Sequence, residues 1–419
     1  MSRYRKILPG IMRGAVAAPP SKSVTHRLFI IAALSGKRSV VRNPLWSEDT
    51  HITLDALKKM GFICDVCQEQ VVFTGERYVP EKPVEIYLSN SGTSARLLTA
   101  LAAALPGEYH LDGTPRMRER PMAELIEALQ QLGVDIDHHN GHFPLRIHGN
   151  TIAGGKVTLD ASKSSQFLSA LLLIAPLTIR GLEIIVPGEI ASRAYVDLTL
   201  SLLKKSCIRF TEESQHFIVS GSQSYHIEDV TVEGDYSNAS YFAIGAAISG
   251  GEVHVQNLDK DSWQGDKAVL AILESAGARV SWNESDVTIA GSSLTGIDYD
   301  MHRYPDLVPG VAVMALFARS KSRLQRVGHL RYKESDRLSA ILENIQRLGG
   351  KAFVEKENLI IQPKNLKGST IATYNDHRMA MSFSLAGLRI PGVQIENPKC
   401  VEKSFPNFWQ EFDRLVQPV

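Results

Sequence analysis

The chain is organised around one segment, Asn90-Ser91-Gly92-Thr93-Ser94-Ala95-Arg96, which runs directly into Leu97-Leu98-Thr99-Ala100-Leu101-Ala102-Ala103-Ala104-Leu105. Ser, Thr and Asn are favoured helix N-caps, and glycine lets the backbone approach a ligand closely. The segment predicts a helix whose first turn leaves N–H groups unpaired and carries a partial positive charge, which suits an anion. Because the helix is apolar on every face, we expect it to be buried.

The same pattern occurs five more times along the chain. Small polar or charged residues precede the apolar runs 28–34, 167–175, 241–248, 307–317 and 379–388. A break follows each of the six runs, and successive breaks lie 69 to 74 residues apart, at Gly36, Gly107, Gly181, Gly250, Lys321 and Gly392. The sequence therefore predicts a six-fold internal repeat with a period of about 70 residues.

A second, amphipathic helix repeats with nearly the same period, at residues 49–61, 122–133, 196–207, 267–277 and 337–349. Four of these five end on glycine, the usual left-handed residue after a helix, and one ends on Cys207. Alternating strands follow each helix, so the repeat is predicted to be a βαβαββ unit. The sixth repeat is incomplete after a predicted helix at 405–415, and residues 4–16 can supply its missing strand.

Composition limits the class of protein. The 419 residues suffice for about two domains, and 44% apolar content is typical of a folded globular protein. The formal net charge is +1 and no run of five like charges occurs, which disfavours nucleic-acid and membrane-surface partners. The sequence has no bilayer-length apolar stretch and no export signal, and its four cysteines are consistent with a reducing compartment, so we expect a cytoplasmic protein. Cys64 and Cys67 are expected to be ordinary strand residues.

Charged side chains gather at the predicted helix starts. Lys22, Ser23 and Arg27 lie at the first of them, with Arg27 one helical turn beyond Ser23. Each such residue also has an ordinary explanation, as a helix cap, as a capping box at 333–337 or as a solvated charge. Five of the six helix starts hold a basic or acidic side chain in a nearly neutral chain, which indicates a small, multiply anionic substrate and an acid–base reaction.

Other polar groups precede the second and third helices of the pattern. Three arginines, Arg116, Arg118 and Arg120, stand just before an amphipathic helix, and solvated charge is expected to explain one or two of them. The side chains of 164–166 and of Ser192 offer hydroxyl and amide groups that suit a polyol as well as an anion.

Six motifs occur in register: Pro20-Ser21-Lys22-Ser23, Asn90-Ser91-Gly92-Thr93, Pro115-Arg116-Met117-Arg118-Glu119-Arg120-Pro121, Ser164-Ser165-Gln166-Phe167, Lys333-Glu334-Ser335-Asp336-Arg337 and Asn375-Asp376-His377-Arg378-Met379-Ala380-Met381. This set closely resembles the EPSP synthases, the 3-phosphoshikimate 1-carboxyvinyltransferases of the enolpyruvyl transferase family. The resemblance extends from about Leu8 to Phe408.

The resemblance implies an α/β fold of the α+β type, inverse α/β barrel-like, in which two similar lobes each hold three βαβαββ units around buried helices. Residues 19–232 would form the first lobe and bind mainly shikimate 3-phosphate. Residues 1–18 and 233–419 would form the second, with the active site in the interlobe cleft. The implied reaction moves the enolpyruvyl group of phosphoenolpyruvate to the 5-hydroxyl of shikimate 3-phosphate through a tetrahedral intermediate, in the shikimate pathway of aromatic amino acid biosynthesis. It uses no metal or organic cofactor.

Matched motif by motif, the resemblance also implies site residues. Shikimate 3-phosphate would be held by Lys22, Ser23, Arg27, Ser164, Ser165, Gln166, Ser192, Asp306, His329 and Lys333. Phosphoenolpyruvate would be held by Lys22, Asn90, Gly92, Thr93, Arg120, Gln166, Arg337, Asp376, Arg378 and Lys403. Asp306 would be the general base for the 5-hydroxyl, Lys333 would bind that oxygen, and Glu334 with Lys22 would manage the proton at the methylene carbon. Which carboxylate serves which proton transfer stays open.

Some positions depart from the family pattern, and two alternatives are weighed. His329 stands where Asn is common and Leu97 where Pro is frequent, although neither change removes a charged catalytic group. In this family a glycine at the position of Gly92 goes with sensitivity to glyphosate, so we expect glyphosate to compete with phosphoenolpyruvate. The resemblance also implies a monomeric enzyme. The related UDP-N-acetylglucosamine enolpyruvyl transferases use a loop cysteine that 115–121 lacks. A non-catalytic anion-binding repeat protein is disfavoured because the charged motif residues are all present.

Overall fold

The computed structural model describes residues 3–283 and 286–419. Residues 1, 2, 284 and 285, which the second predicted lobe includes, lie outside the described residues. No described helix is long and apolar enough to cross a membrane. In chain order the α-helices are α1 (Lys22–Ala33), α2 (Glu48–Lys59), α3 (Gly92–Ala104), α4 (Pro115–Glu119), α5 (Ala123–Gln131), α6 (Ser165–Ile174), α7 (Ala194–Lys205), α8 (Tyr236–Ser249), α9 (Ala268–Ser275), α10 (Val308–Leu316), α11 (Arg337–Arg347), α12 (His377–Ser384) and α13 (Phe408–Leu415). Short 3-10 helices lie at Ala175–Leu177, Gly265–Lys267, Gly328–Tyr332, Leu385–Leu388 and Pro398–Lys403.

The strands form several small sheets of similar order. In chain order the strands are β1 (Tyr4–Lys6), β2 (Gly10–Ala17), β3 (Ser39–Arg42), β4 (Phe62–Val66), β5 (Gln70–Arg77), β6 (Val84–Tyr87), β7 (Gly107–Asp112), β8 (Asp135–His139), β9 (His142–Gly149), β10 (Gly155–Thr158), β11 (Leu182–Ile185), β12 (Phe210–Glu213), β13 (His216–Val219), β14 (Asp229–Thr231), β15 (Glu252–Gln256), β16 (Arg279–Asn283), β17 (Asp286–Ala290), β18 (Asp298–Asp300), β19 (Ser322–Gln325), β20 (Lys351–Glu355), β21 (Asn358–Gln362), β22 (Thr370–Ile371), β23 (Gln394–Glu396) and β24 (Val416–Pro418). Their sheet orders are β14-β3-β5-β4, β6-β7-β9-β8, β10-β11-β13-β12, β16-β17-β15-β2-β24, β18-β19-β21-β20 and β1-β23-β22.

The sheet β6-β7-β9-β8 shows the repeating unit. β6 pairs parallel with β7, and β9 lies antiparallel between β7 and β8. Along the chain the order is β6, α3, β7, α4, α5, β8 and β9, which is the predicted βαβαββ unit with one short added helix. On β9 the side chains of Phe143, Leu145 and Ile147 are buried and those between them are exposed. One face of the sheet therefore packs on the core and the other faces solvent.

The chain folds as two compact units, unit A (Ser21–Val232) and unit B (Met1–Pro20 with Glu233–Val419). Each unit has its own hydrophobic core. In unit A, β14 pairs parallel with β3 and so supplies the first strand of the first repeat. In unit B, β2 pairs parallel with β15 and supplies the first strand of that repeat. β1 pairs antiparallel with β23 in the incomplete sixth repeat. The predicted strand at 4–16 is thus two strands with a break that includes Pro9, which has no backbone N–H to donate.

The six apolar runs form the buried helices α1, α3, α6, α8, α10 and α12. In α3 every residue except Thr93 is buried. Its alanines favour the helix and let α6 pack closely against it. α10 begins one residue later than its apolar run, with Leu307 as N-cap, so Asp306 precedes the helix instead of capping it.

The amphipathic helices end as the pattern predicts. They are followed by residues with left-handed backbone, with φ between 62° and 101°: Gly61, Gly133, Cys207, Gly277 and Gly349. The predicted helix at 405–415 is shorter than expected and begins at Phe408, because Pro406 disfavours helical backbone at the residue before it. Cys64 lies in β4 and Cys67 just after it, and all four cysteines are free thiols.

Candidate active site

The first buried helix of unit A, α1, begins at Lys22. The Nζ of Lys22 lies 3.2 Å from Oδ2 of Asp49 in the first turn of α2. Ser23 follows at the helix start and is half-buried. The ammonium group is thus fixed by a buried carboxylate beside a helix N-terminus, where backbone N–H groups add to the positive potential.

Arg27 lies one turn further along α1 and is only 2% exposed. Its guanidinium donates to Thr199 Oγ1 at 2.8 Å, to the carbonyl of Ser23 at 2.9 Å, to the carbonyl of Tyr195 at 3.3 Å and to Ser169 Oγ at 3.4 Å. Burial lowers the pKa of Arg27 to about 10, which leaves it charged at neutral pH. These contacts join α1 to α6 and α7 beneath the helix start, and contact between Arg27 and a substrate stays a prediction.

Arg120 closes over the start of α3. Its Nη1 donates to the backbone and side-chain oxygens of Asn90 at 3.3 and 3.4 Å. A methyl group at Gly92 would lie 2.3 Å from Nη2 of Arg120, so the missing side chain of Gly92 makes room for the guanidinium. Thr93 Oγ1 accepts a hydrogen bond from Nε2 of Gln166 at 3.3 Å, which links α3 to the start of α6.

The other two arginines before α5 form exposed ion pairs. Arg116 lies 3.0 Å from Glu119, and the Nε of Arg118 donates to Asp112 at 2.9 Å. Arg120 is 4% exposed and differs from both. Arg118 is exposed and Arg116 is half-buried, which agrees with the prediction that solvated charge explains one or two of the three.

The third helix start of unit A offers hydroxyl groups. Ser164 is the N-cap of α6, and its Oγ accepts from the backbone N–H of Gln166 at 3.2 Å. Ser165 follows, nearly fully buried. Ser192, just before α7, has a left-handed φ of 56° and a buried Oγ without a hydrogen-bond partner among the described residues. A buried hydroxyl in that state costs about 1–3 kcal/mol, which marks Ser192 as a candidate ligand contact.

In unit B two arginines converge on one carboxylate. Nη1 of Arg337 donates to Oδ1 of Asp306 at 2.7 Å, and Nη2 of Arg378 donates to Oδ2 at 2.8 Å. The side chains of Arg337 and Arg378 are 1% and 4% exposed, and that of Asp306 is 19% exposed. Burial opposes ionisation of Asp306, but Arg378 and Arg337 outweigh it and hold the pKa of this carboxyl well below its usual range.

Two more carboxylates fix Arg337. Its Nε donates to Oδ2 of Asp376 at 2.8 Å, and its Nη2 donates to Oε2 of Glu334 at 2.6 Å. Asp376 also accepts from Ser335 Oγ at 3.0 Å and, as N-cap of α12, from the backbone N–H of Arg378 at 2.9 Å. The Asp376 side chain is fully buried, whereas that of Glu334 is 12% exposed. Asp376 therefore ties α11 to α12, and Glu334 lies nearer the surface.

Three further predicted residues lie on or beside 3-10 helices of unit B. His329 lies within Gly328–Tyr332, Lys333 follows that helix, and Lys403 ends Pro398–Lys403, which packs against α12. Burial and then the charge of Lys333 lower the pKa of His329 to about 2, so the imidazole is neutral. Its Nε2 is buried without a hydrogen-bond partner among the residues that the structure describes.

Three buried side chains near these residues were not expected from the sequence. Asp49 is the partner of the α1 ammonium. The Oη of Tyr241 accepts from Nη1 of Arg378 at 3.1 Å. Burial and then the charge of Asp306 raise the pKa of Asp266 to about 7. In the sequence Asp49 is an ordinary acid in the first turn of a helix and Tyr241 an ordinary core aromatic, so no local signal separates them from structural residues.

The chemistry of both units suits anions and proton transfer. Lys22 and Arg120 in unit A, and Arg337 and Arg378 in unit B, lie at or beside helix N-termini, where phosphate and carboxylate groups bind. The carboxylates of unit B differ in burial and in their cationic neighbours, which allows them to divide acid and base roles. Within 3–283 and 286–419, no group of three or more His, Cys, Asp or Glu side chains is arranged to hold a metal ion.

Comparisons with known proteins agree with these features. The family model for EPSP synthase (3-phosphoshikimate 1-carboxyvinyltransferase) matches residues 9–412. The chain is 40% identical to the 3-phosphoshikimate 1-carboxyvinyltransferase of Colwellia psychrerythraea over 417 residues, covering 97% of each chain. It is 41% identical to the enzyme of the same name from Syntrophobacter fumaroxidans over 416 residues, covering 96% of this chain and 97% of that one.

A solved structure shows the same fold. The EPSP synthase of Acinetobacter baumannii superposes with a TM-score of 0.84 at 27% identity, covering 99% of this chain and 98% of that one. The predicted family, α/β fold class and transferase activity are confirmed, and the nucleotide-sugar alternative is not favoured. The chain belongs to the EPSP synthase family, whose members are 3-phosphoshikimate 1-carboxyvinyltransferases.

Proposed function

We propose that the chain transfers the enolpyruvyl group of phosphoenolpyruvate to the 5-hydroxyl of shikimate 3-phosphate. The hydroxyl oxygen adds to C2 of phosphoenolpyruvate while C3 gains a proton. Loss of a proton from C3 then expels inorganic phosphate and leaves 5-enolpyruvylshikimate 3-phosphate. The observation that carries the proposal is the cluster of Asp306, Glu334, Arg337 and Arg378, in which two buried cations and two partly exposed carboxylates are joined by hydrogen bonds.

The anionic groups of both substrates need several cations. Phosphoenolpyruvate would be held in unit A by Lys22, Asn90, Gly92, Thr93, Arg120 and Gln166, and in unit B by Arg337, Arg378 and Lys403. Shikimate 3-phosphate would be held in unit A by Lys22, Ser23, Ser164, Ser165, Gln166 and Ser192, and in unit B by Asp306, His329 and Lys333. Arginine suits the carboxylate and the phosphate because its planar fork donates two parallel hydrogen bonds.

Proton transfer would use the partly exposed carboxylates. Asp306 would take the proton of the 5-hydroxyl, and Lys333 would donate a hydrogen bond to the same oxygen. Glu334, with Lys22, would supply and later remove the proton at C3. The neutral imidazole of His329 supports a contact with a substrate hydroxyl, because a neutral ring can both donate and accept.

Two predicted substrate contacts fit better as positioning residues. Asp376 is fully buried and binds Arg337, Ser335 and the α12 N-terminus. Its negative charge would also repel phosphoenolpyruvate, so we propose that it orients Arg337 for the substrate. Arg27 holds α1 against α7 in a similar way, and its positive charge adds to the potential at the α1 start.

Inhibition, assembly and location are also part of the proposal. Glyphosate would compete with phosphoenolpyruvate for Arg120 beside Gly92, and unimpaired turnover at glyphosate concentrations far above the KM for phosphoenolpyruvate would contradict this. The free thiols of Cys64, Cys67, Cys207 and Cys400 support a cytoplasmic location, since reducing compartments keep thiols free. A monomer rests on the family resemblance, and light scattering would test it.

The test is release of inorganic phosphate from phosphoenolpyruvate. Release should require shikimate 3-phosphate and should not occur with UDP-N-acetylglucosamine as the acceptor. Glu334→Gln should reduce the rate by at least about 100-fold, as expected for loss of a general acid–base group. Glu343→Gln is the matched control, because Glu343 is an exposed glutamate of α11 paired with Arg347. Equal rates in the two variants, or release without the shikimate ester, would contradict the proposal.

A further inference from the structure

Asp306 accepts hydrogen bonds from both arginines of unit B that are proposed to bind phosphoenolpyruvate. Each of its oxygens accepts one charge-assisted hydrogen bond, Oδ1 from Arg337 at 2.7 Å and Oδ2 from Arg378 at 2.8 Å. A substrate carboxylate could accept hydrogen bonds from these two guanidinium groups in the same way, one on each oxygen.

Other partners of the two arginines are more deeply buried than Asp306. Arg337 is held from the protein side by Asp376, whose side chain is fully buried, and by Glu334, which is 12% exposed. Nη1 of Arg378 donates to the buried Oη of Tyr241. Among these partners Asp306 is the most exposed, at 19%, and it precedes α10 without capping it. Exchange of one carboxylate for another is therefore easiest at Asp306.

The same contacts conflict with the role of Asp306 as a base. A carboxylate that accepts from two guanidiniums is strongly stabilised as an anion and has little tendency to take a proton. Removing those two hydrogen bonds while keeping the carboxylate nearby would make it a stronger base. A substrate anion that takes over Arg337 and Arg378 would do this, and it would also bring its own C2 to the site.

We propose that Asp306 is an internal substitute for the carboxylate of phosphoenolpyruvate, that the substrate displaces it from Arg337 and Arg378, and that this displacement frees Asp306 to take the proton of the 5-hydroxyl. The inference rests on the proposed function for the identity of the anion. It links substrate binding to activation of the base, so the base is held as an unreactive ion pair until the electrophile has bound.

The test is the affinity for phosphoenolpyruvate alone, measured by titration calorimetry in a phosphate-free buffer. Asp306→Asn removes the competing anion with little change of shape, and it should bind phosphoenolpyruvate about tenfold or more tightly than the wild type, the effect expected for one charge-assisted hydrogen bond. The same variant should lose most of its phosphate-release activity. Asp298→Asn is the matched control, because it removes one charge from an exposed strand residue of unit B that is bonded to Gln325.

Each outcome decides the proposal. Tighter binding in Asp306→Asn with an unchanged Asp298→Asn supports displacement, whereas equal or weaker binding in a folded Asp306→Asn overturns it. Equal tightening in both variants would indicate a general charge effect and also overturn it. If circular dichroism shows that Asp306→Asn is unfolded, Asp306→Ser carries the same test. Absence of phosphate release by the wild type with both substrates would instead refute the proposed function.

Discussion

Replacement of Gly92 by alanine tests how the start of α3 positions Arg120. An added methyl group would lie 2.3 Å from Nη2, 2.7 Å from Cζ and 2.8 Å from Nη1 of Arg120. Contacts this short are repulsive, because carbon and nitrogen atoms pack at about 3.5 Å or more, so the guanidinium must move by about 1 Å. Its hydrogen bonds to Asn90, at 3.3 and 3.4 Å, would lengthen and break.

The displaced guanidinium should bind phosphoenolpyruvate poorly. A charge-assisted hydrogen bond contributes about 1.5–3 kcal/mol, which corresponds to a rise of about tenfold to 100-fold in the KM for phosphoenolpyruvate. We expect the inhibition constant of glyphosate to rise as well. The melting temperature should change little, because the preference of alanine for helical backbone at the start of α3 offsets the loss of the hydrogen bonds between Arg120 and Asn90.

The assay is steady-state phosphate release with varied phosphoenolpyruvate, run for Gly92→Ala, Arg120→Lys and the double variant. If the methyl group acts through Arg120, it should raise KM much less when lysine replaces that arginine, since the shorter head group leaves the contact. An unchanged KM in Gly92→Ala would refute the reasoning. The same fold-change in both backgrounds would show that the methyl group blocks the substrate directly.

Three other variants probe buried contacts. Tyr241→Phe removes the acceptor of Arg378 and should raise the KM for phosphoenolpyruvate about threefold to tenfold with little change in kcat; a fall in kcat alone would contradict this. Arg27→Met should lower the free energy of unfolding by about 2–4 kcal/mol in urea, while Arg118→Met, at an exposed arginine, should change it by less than about 0.5 kcal/mol. The pKa of His329 is lowered in the folded state, so the unfolded chain binds more protons below pH 6.5, and the free energy of unfolding falls on acidification by up to about 1.4 kcal/mol per pH unit. His329→Asn should reduce that slope in urea titrations between pH 6.5 and 5. An unchanged slope would show that the imidazole is protonated in the folded state.

Much of the candidate site could be predicted because its residues are adjacent in sequence to helix starts. Ser164 and Asp376 were both expected near such starts, and both are N-caps in the structure. The three arginines before α5 also differ as predicted, since Arg120 is the one of the three that is buried. The partners of these residues could not be predicted in the same way. Asp49 and Tyr241 reach their partners across 27 and 137 residues of chain, and such pairs leave no local pattern.

The repeat and the buried helices follow from the sequence, because hydrophobic period, capping residues and left-handed glycines act over a few residues at a time. The family follows from the six motifs that resemble those of the EPSP synthases. The left-handed backbone at Cys207 shows that the helix-end position is set by the repeat even where glycine is absent. The roles of individual charges depend on the tertiary fold. Asp306 is a plausible helix cap in the sequence, yet it binds Arg337 and Arg378, which lie 31 and 72 residues away. Ion pairs of this kind depend on distance and burial, and both are set when separate helices pack together.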